Sequence, residues 1–185
     1  MSVFNGPAPT VEILADSDKE AETVGRWVAD RIAEGVEPHE IGIFVRSSAQ
    51  FRRVRIAAKL SGAPTVELSD KVETTPGRLS IGTMHPAKGF EFRAVAVMAC
   101  DDEVLPLQER IEAVADDADL EDVYNTERHL LYVACTRARD YLSVTGVKPA
   151  SEFLDDLAPV TIAGDAKPLS ADPPRVAMAT DRGRS

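Results

Sequence analysis

Short apolar runs alternate with helical patterns through most of the chain. Runs of strand length predict β-strands at 11–15, 41–45, 64–68, 79–83, 94–99 and 141–145. Apolar residues spaced three and four apart predict helices that end near Gly35 and Leu60, a third over 127–139 and a short one over 151–157. Strands that alternate with helices form βαβ units. The pattern therefore predicts an α/β fold with three layers around a mostly parallel sheet.

Two segments depart from this alternation. Residues 109–122 are highly acidic and fit either a helix or a flexible loop. Residues 165–185 are rich in proline, alanine, aspartate and arginine and have almost no large apolar side chains. We therefore expect one domain over residues 1–160 and a flexible tail over 161–185.

Composition narrows the class of protein. The chain has 185 residues, of which 44% are hydrophobic, enough for one core. Its net charge of −10 argues against nucleic-acid binding as a bulk property, although a local basic strip can coexist with an acidic whole. Cys100 and Cys135 lie in apolar surroundings, which favours buried, reduced thiols in a cytoplasmic protein. No apolar run approaches the roughly 20 residues of a membrane span.

A polar turn joins the two most apolar strands, and it carries the most informative motif. Residues 83–92 read T-M-H-P-A-K-G-F-E-F. This stretch resembles T-x-H-x-x-K-G-x-E-F, a motif in the second motor domain of superfamily I DNA helicases of the UvrD/Rep type. The resemblance implies that Gly89 and Glu91 lie beside a bound nucleotide. It also implies that Thr83 and His85 face single-stranded DNA. Lys88 is either a phosphate contact or an ordinary surface lysine.

The third predicted helix carries a second motif. Residues 127–138 read E-R-H-L-L-Y-V-A-C-T-R-A, which resembles the family's E-R-R-L-x-Y-V-x-x-T-R-A with His129 in place of an arginine. On a helix, Arg137 falls within the apolar arc, where its guanidinium needs an anionic partner. The residues alone allow a buried salt bridge with Glu91 or Glu127. The resemblance instead implies that Arg137 is an arginine finger, the catalytic residue that reaches the γ-phosphate of ATP.

A weaker match follows the second predicted strand. Residues 43–52 read I-F-V-R-S-S-A-Q-F-R and resemble the family's L-Y-R-S-N-A-Q-S-R. The resemblance implies that Arg46 contacts the DNA backbone. Ser48 stands where the family usually has asparagine, and ordinary turn chemistry is the alternative. Arg52, Arg53 and Arg55 beside it form the basic cluster of the chain.

The sequence lacks the phosphate loop G-x-x-x-x-G-K-[ST] and the family's Q-x-x-R motif. The resemblance therefore implies a RecA-like domain of the P-loop NTPase type without its own phosphate loop. Such a domain would act on ATP whose Mg²⁺ is bound by a separate first RecA-like motor domain. That domain and single-stranded DNA are the expected partners, with no membrane contact. Alone, the chain is not expected to hydrolyse ATP.

Two other functions fit the same residues. The acidic balance and the missing phosphate loop favour a catalytically inactive RecA-like binding module. The motifs also occur in proteins that join a helicase and a nuclease in one chain. The main expectation is the C-terminal motor domain of an ATP-dependent DNA helicase, with 3′ to 5′ movement along the strand by family analogy.

Overall fold

A parallel six-stranded sheet forms the centre of the molecule. The computed structural model describes residues 6–69, 74–85, 89–114 and 117–157. The strands are β1 (Thr10–Leu14), β2 (Ile41–Val45), β3 (Thr65–Glu67), β4 (Leu79–Thr83), β5 (Phe92–Val97) and β6 (Ala138–Val147). Their order is β1-β6-β5-β2-β4-β3, and all five pairings are parallel. The predicted α/β fold with a mostly parallel sheet is confirmed.

Helices cover both faces of the sheet. They are α1 (Ser17–Ala33), α2 (Phe51–Ser61), α3 (Gln108–Glu112) and α4 (Asp117–Cys135). Helices α1 and α2 share one core with Ile41 and Ile43, whereas α4 packs into a second core with Phe44. Successive side chains of a strand point to opposite faces, so β2 contributes to both cores. These cores make the three predicted layers.

Local signals define the first two helices. The carboxylate of Asp16 caps α1 by accepting a 2.8 Å hydrogen bond from the backbone N–H of Lys19. Gly62 ends α2 with a φ of 77°, a left-handed conformation that favours glycine. Both signals are visible in the sequence, and both helices lie where the pattern predicts them.

The third predicted helix differs from the observed one at both ends. Helix α4 begins at Asp117, within the acidic segment, and ends at Cys135, before the predicted end at residue 139. The hydroxyl of Thr126 donates to the carbonyl of Asp122 inside the helix, so it is not an N-cap. Beyond the helix, Ala138 pairs with Phe92 of β5 and begins β6. Tertiary pairing therefore overrides the local helical pattern, and Arg137 lies in the turn between α4 and β6.

Glycine 146 lies inside β6, although the sequence pattern places it at the end of a strand. A Cβ atom at this position would lie 2.3 Å from the carbonyl oxygen of Cys100. Only glycine allows this close approach between the end of β5 and the neighbouring strand.

Part of the sequence prediction lies outside the described residues. The predicted tail at 161–185 and the predicted phosphate contact at Lys88 both fall there. Within the four described ranges, no helix has both the length and the apolar character that crossing a membrane requires.

Replacing Gly146 with alanine should destabilise the fold by about 3 kcal/mol, because the new methyl group overlaps a backbone oxygen that cannot move freely. Urea unfolding followed by circular dichroism measures the change. Gly82→Ala in β4 is the matched control, since its nearest neighbours would lie at ordinary contact distances of 3.4–3.7 Å. We expect less than about 1 kcal/mol for the control. Equal losses for the two variants would contradict the steric explanation.

The two cysteines should be inert to thiol reagents in the native state. Both are buried and free, as predicted. Burial raises the pKa of Cys135 to about 12 and that of Cys100 well above its ordinary range, so neither forms a thiolate at neutral pH. Titration with a chromogenic disulfide at pH 8 should label neither thiol before unfolding and both in denaturant. Rapid native labelling would contradict this burial.

Candidate nucleotide and nucleic-acid sites

Arg137, Gly89 and Glu91 come together at the amino edge of the sheet. The backbone N–H of Phe92 donates to the carbonyl of Arg137 at 2.9 Å, and Phe92 pairs with Ala138. Glu91 and Arg137 therefore precede paired residues of adjacent strands, which lie about 4.8 Å apart in a sheet. Gly89 begins this approach with a φ of 105°, and both Gly89 and Glu91 are exposed. The three predicted nucleotide contacts thus share one edge.

The guanidinium of Arg137 bonds only to neutral acceptors in the described part of the chain. Its Nε donates to the carbonyl of Val133 at 3.1 Å, Nη1 to that of Phe90 at 3.4 Å and Nη2 to the hydroxyl of Thr136 at 3.3 Å. The side chain is half-buried. Its ion pair with Glu91 or Glu127, the alternative from the residues alone, does not form among the described residues. Its positive charge is therefore not neutralised by a carboxylate there.

Neighbouring arginines at the same edge differ from Arg137. Arg139 and Arg93 both donate to Asp140, at 2.9 Å and 3.0 Å. The hydrogen bond from Arg139 is the main cause that lowers the pKa of Asp140 to about 2, and Arg93 adds to it. A polar cavity of about 200 Å³ lies beside these groups and is lined in part by Glu91 and His39. The edge therefore offers room for a ligand beside Glu91, and Arg137 is not among the residues that line this cavity.

Thr83 and His85 lie at the opposite edge. Thr83 ends β4 and is half-buried, and His85 is exposed in the turn that follows. A strand of the length of β5 spans about 20 Å, so these residues are far from Arg137. The polar turn that joins β4 to β5 begins at the carboxyl edge and ends at the amino edge, because both strands run in the same direction. The two predicted ligand sites are consequently separate.

Arg46 follows β2 at the carboxyl edge, but its side chain points inward. It is 5% exposed, and its Nε and Nη2 donate to the two carboxylate oxygens of Glu127 at 2.5 Å and 2.7 Å. In this arrangement the guanidinium cannot reach a DNA phosphate without leaving Glu127. The structure thus uses Arg46 for an internal ion pair and not for the expected DNA contact, because the buried carboxylate of Glu127 needs a charged partner.

Sequence reasoning missed the structural role of Glu127. Its side chain is fully buried in α4 and also accepts from Arg110 Nη1 at 2.8 Å and from the backbone N–H of Leu107 at 3.3 Å. Burial raises its pKa, but the hydrogen bond and charge of Arg46, with the hydrogen bonds from Arg110 and Leu107, outweigh burial and lower it overall. The sequence spacing could have indicated that Glu127 is buried, since residue 127 shares the helix face of the apolar residues Leu131 and Ala134.

The same arginines influence His85. Burial, and then the positive charge of Arg46, lower the pKa of the imidazole, with a further contribution from Arg110 and opposition from Glu127. The lowered pKa favours the neutral form of the imidazole. The guanidinium groups carry the positive charge at this edge.

The basic cluster after β2 is largely neutralised. Arg53 bonds to the carboxylates of Glu20 and Asp101, and Arg55 pairs with Glu67 at 2.9 Å. Glu20 is fully buried and also accepts from the backbone N–H of Ala99 at 2.8 Å. This cluster therefore joins α1 and α2 to the sheet and does not form an open basic strip.

Comparison with known proteins agrees with this arrangement of motifs. The sequence model of the family described as "UvrD-like helicase C-terminal domain" matches residues 58–148, which include the Gly89, Glu91 and Arg137 positions. The chain contains a UvrD-like helicase C-terminal domain. Helicases of the UvrD type, to which this family model refers, belong to superfamily I.

Curated relatives of the UvrD-like domain are helicases. The ATP-dependent DNA helicase PcrA of Staphylococcus epidermidis is 37% identical over 76 residues, which cover 41% of this chain and 10% of PcrA. The putative ATP-dependent DNA helicase YjcD of Bacillus subtilis is 31% identical over 107 residues, or 52% of this chain and 14% of YjcD. The matches thus span about a tenth to a seventh of these relatives.

A solved structure supports the fold of the UvrD-like domain. It is described as the C-terminal domain of a possible DNA helicase from Lactobacillus plantarum WCFS1. The two structures superpose with a TM-score of 0.60 at 23% identity, over 83% of this chain and 82% of the other. The likeness extends over about four fifths of each chain and concerns their architecture.

Replacing Glu127 with alanine should destabilise the domain by about 3 kcal/mol, because it leaves the buried guanidinium of Arg46 without a carboxylate. Glu91→Ala, an exposed position, is the control and should change stability by less than about 0.5 kcal/mol. Chemical denaturation at pH 7 measures both.

The Glu127 effect should depend on pH in one direction. Because folding lowers the pKa of Glu127, its stabilising contribution is present above its unfolded pKa of about 4.3 and is lost as pH falls through the folded value. Wild type and Glu127→Ala should therefore converge in stability at acid pH. An undiminished difference at pH 3 would contradict the ion-pair explanation.

Proposed function

We propose that this chain is the C-terminal motor domain of an ATP-dependent DNA helicase, with Arg137 as its arginine finger. The observation that carries the proposal is the guanidinium of Arg137, which bonds to two carbonyls and a hydroxyl at an open edge of the sheet. A separate first motor domain would bind ATP with its Mg²⁺ and present the triphosphate to this edge.

The chemistry of phosphoryl transfer suits this arrangement. Negative charge spreads over the equatorial oxygens of the transferred group, and the fork of donors on an arginine stabilises it. A guanidinium with neutral partners can give up those bonds to phosphate oxygens without stranding a carboxylate. Gly89 allows close backbone approach to a nucleotide, and the exposed carboxylate of Glu91 can accept hydrogen bonds from ribose hydroxyls.

Single-stranded DNA would follow the opposite, carboxyl edge. The hydroxyl of Thr83 can donate to a phosphate, and the exposed imidazole of His85 can stack on a base or donate to the backbone. The separation of about 20 Å between the edges lets one domain contact both ligands at once. In this proposal, DNA contacts and nucleotide contacts are made by different ends of the same strands.

Arg137→Ala should reduce ATP turnover by about 10³-fold or more when the chain is joined to a first motor domain of a UvrD-type helicase. The fold should persist, because the side chain is half-buried and no carboxylate in the described part of the chain pairs with it. Steady-state ATP hydrolysis and thermal unfolding are measured on the same preparations. Arg139→Ala is the matched control, since Arg139 lies at the same edge but is paired with Asp140.

Three outcomes would oppose the proposal. Unfolding of the Arg137→Ala domain would make Arg137 a structural residue. A folded variant with wild-type turnover would favour the catalytically inactive binding module. The net charge of −10 is consistent with that alternative. Equal losses for Arg137→Ala and Arg139→Ala would indicate a general electrostatic effect of this edge.

A further inference from the structure

We infer that Arg110 binds a backbone phosphate of single-stranded DNA at the carboxyl edge, where Glu127 holds its guanidinium in place. This inference rests on the proposed function, because it assumes that DNA follows this edge. It assigns to Arg110 the contact that the sequence predicted for Arg46.

The charges of the buried cluster do not cancel. Arg46 and Arg110 both donate to one carboxylate, that of Glu127, so the three side chains carry one excess positive charge. Arg46 and Glu127 are enclosed, with side-chain exposures of 6% and 0%, whereas the side chain of Arg110 is 38% exposed. The uncompensated charge therefore faces solvent through Arg110.

The hydrogen bonds leave Arg110 free to take a second partner. Among the described residues, Arg110 donates to Glu127 through Nη1 alone, at 2.8 Å, whereas Arg46 occupies both carboxylate oxygens. A guanidinium has five N–H donors in a planar fork, which suits phosphate oxygens. One bond to a buried carboxylate fixes the orientation of Arg110, and the remaining donors are available for a ligand.

The guanidinium of Arg110 lies at the same edge of the sheet as the predicted DNA contacts Thr83 and His85. Arg46 directly follows β2, and the backbone N–H of Met84 donates to the carbonyl of Val45 at 2.9 Å, which joins the ends of β2 and β4. His85 is the next residue along the turn. The charges of Arg46 and Arg110 both act on its imidazole and help to lower its pKa. A phosphate beside His85 would thus meet a neutral imidazole and the charged Arg110.

Acidic groups limit the direction of approach. Glu103 and Glu109 line a crevice of about 440 Å³ between the loop after β2 and helix α3. Glu112 accepts from Gln108 at 3.2 Å on the exposed side of the same helix. These carboxylates repel phosphates, so the backbone of a DNA strand is favoured on the His85 side of Arg110. A single arginine contact can therefore contribute to DNA binding even though the chain carries a net charge of −10.

The test measures the salt dependence of DNA binding. Fluorescence anisotropy of a labelled oligothymidylate is recorded against KCl concentration, with the chain joined to a first motor domain as above. Loss of one phosphate contact on a single strand should reduce the slope of log K against log[salt] by about 0.7. At fixed salt, Arg110→Ala should weaken binding roughly tenfold, as expected for one charged hydrogen bond.

Arg128→Ala is the matched control. Arg128 is next to Glu127 in sequence, has a side chain 49% exposed and pairs with the exposed carboxylate of Asp156 at 3.0 Å. Its removal should leave the salt slope unchanged. Arg110→Gln is a second variant that retains a donor for Glu127 without the charge, and it should show the same loss of slope as Arg110→Ala. Thermal unfolding checks that each variant is folded.

The outcomes separate this inference from the proposed function. A folded Arg110→Gln with the wild-type slope would overturn the inference, while Arg137-dependent ATP turnover would still support the proposed function. If Arg110→Gln raises the KM for ATP but leaves the salt slope of DNA binding unchanged, Arg110 contacts a nucleotide phosphate. This result would also overturn the inference. If the wild-type protein binds no oligonucleotide, the proposed function itself fails.

Discussion

The buried carboxylate of Glu127 is the interaction on which the arrangement of both candidate sites depends. It lies fully buried in α4 and joins the end of β2, through Arg46, to the segment that carries Arg110. A buried charge without partners is strongly unfavourable, so this helix has one favourable position on the sheet. The end of α4 and the following turn are thereby set, and with them the position of Arg137.

Parallel pairing then separates the chemistry into two edges. In a parallel sheet every strand begins at one edge and ends at the other, so residues before β5 and β6 meet at the amino edge. Residues after β2 and β4 meet at the carboxyl edge. A motif that is continuous in sequence, such as residues 83–92, can therefore serve both edges.

The acidic total of the chain says little about either edge. Several carboxylates are used internally: Glu20 and Asp101 bind Arg53, Glu127 binds Arg46, and Asp140 binds Arg139. The guanidinium of Arg137 has neutral partners, and Arg110 shares its carboxylate with Arg46. Local charge at a binding edge is thus decided by which carboxylates are already paired. Net charge alone would have argued against nucleic acid.

The sequence alone determined the strands, the parallel fold class and the positions of the motifs. Apolar runs and caps such as Asp16 and Gly62 are local signals, and they act through the residues next to them. Only the tertiary structure decided the ends of α4, the need for glycine at 146 and the inward orientation of Arg46. Each of these depends on a partner far away in sequence, such as Phe92, Cys100 or Glu127. No local pattern specifies which distant group will lie opposite, because packing and charge compensation act across the whole folded chain.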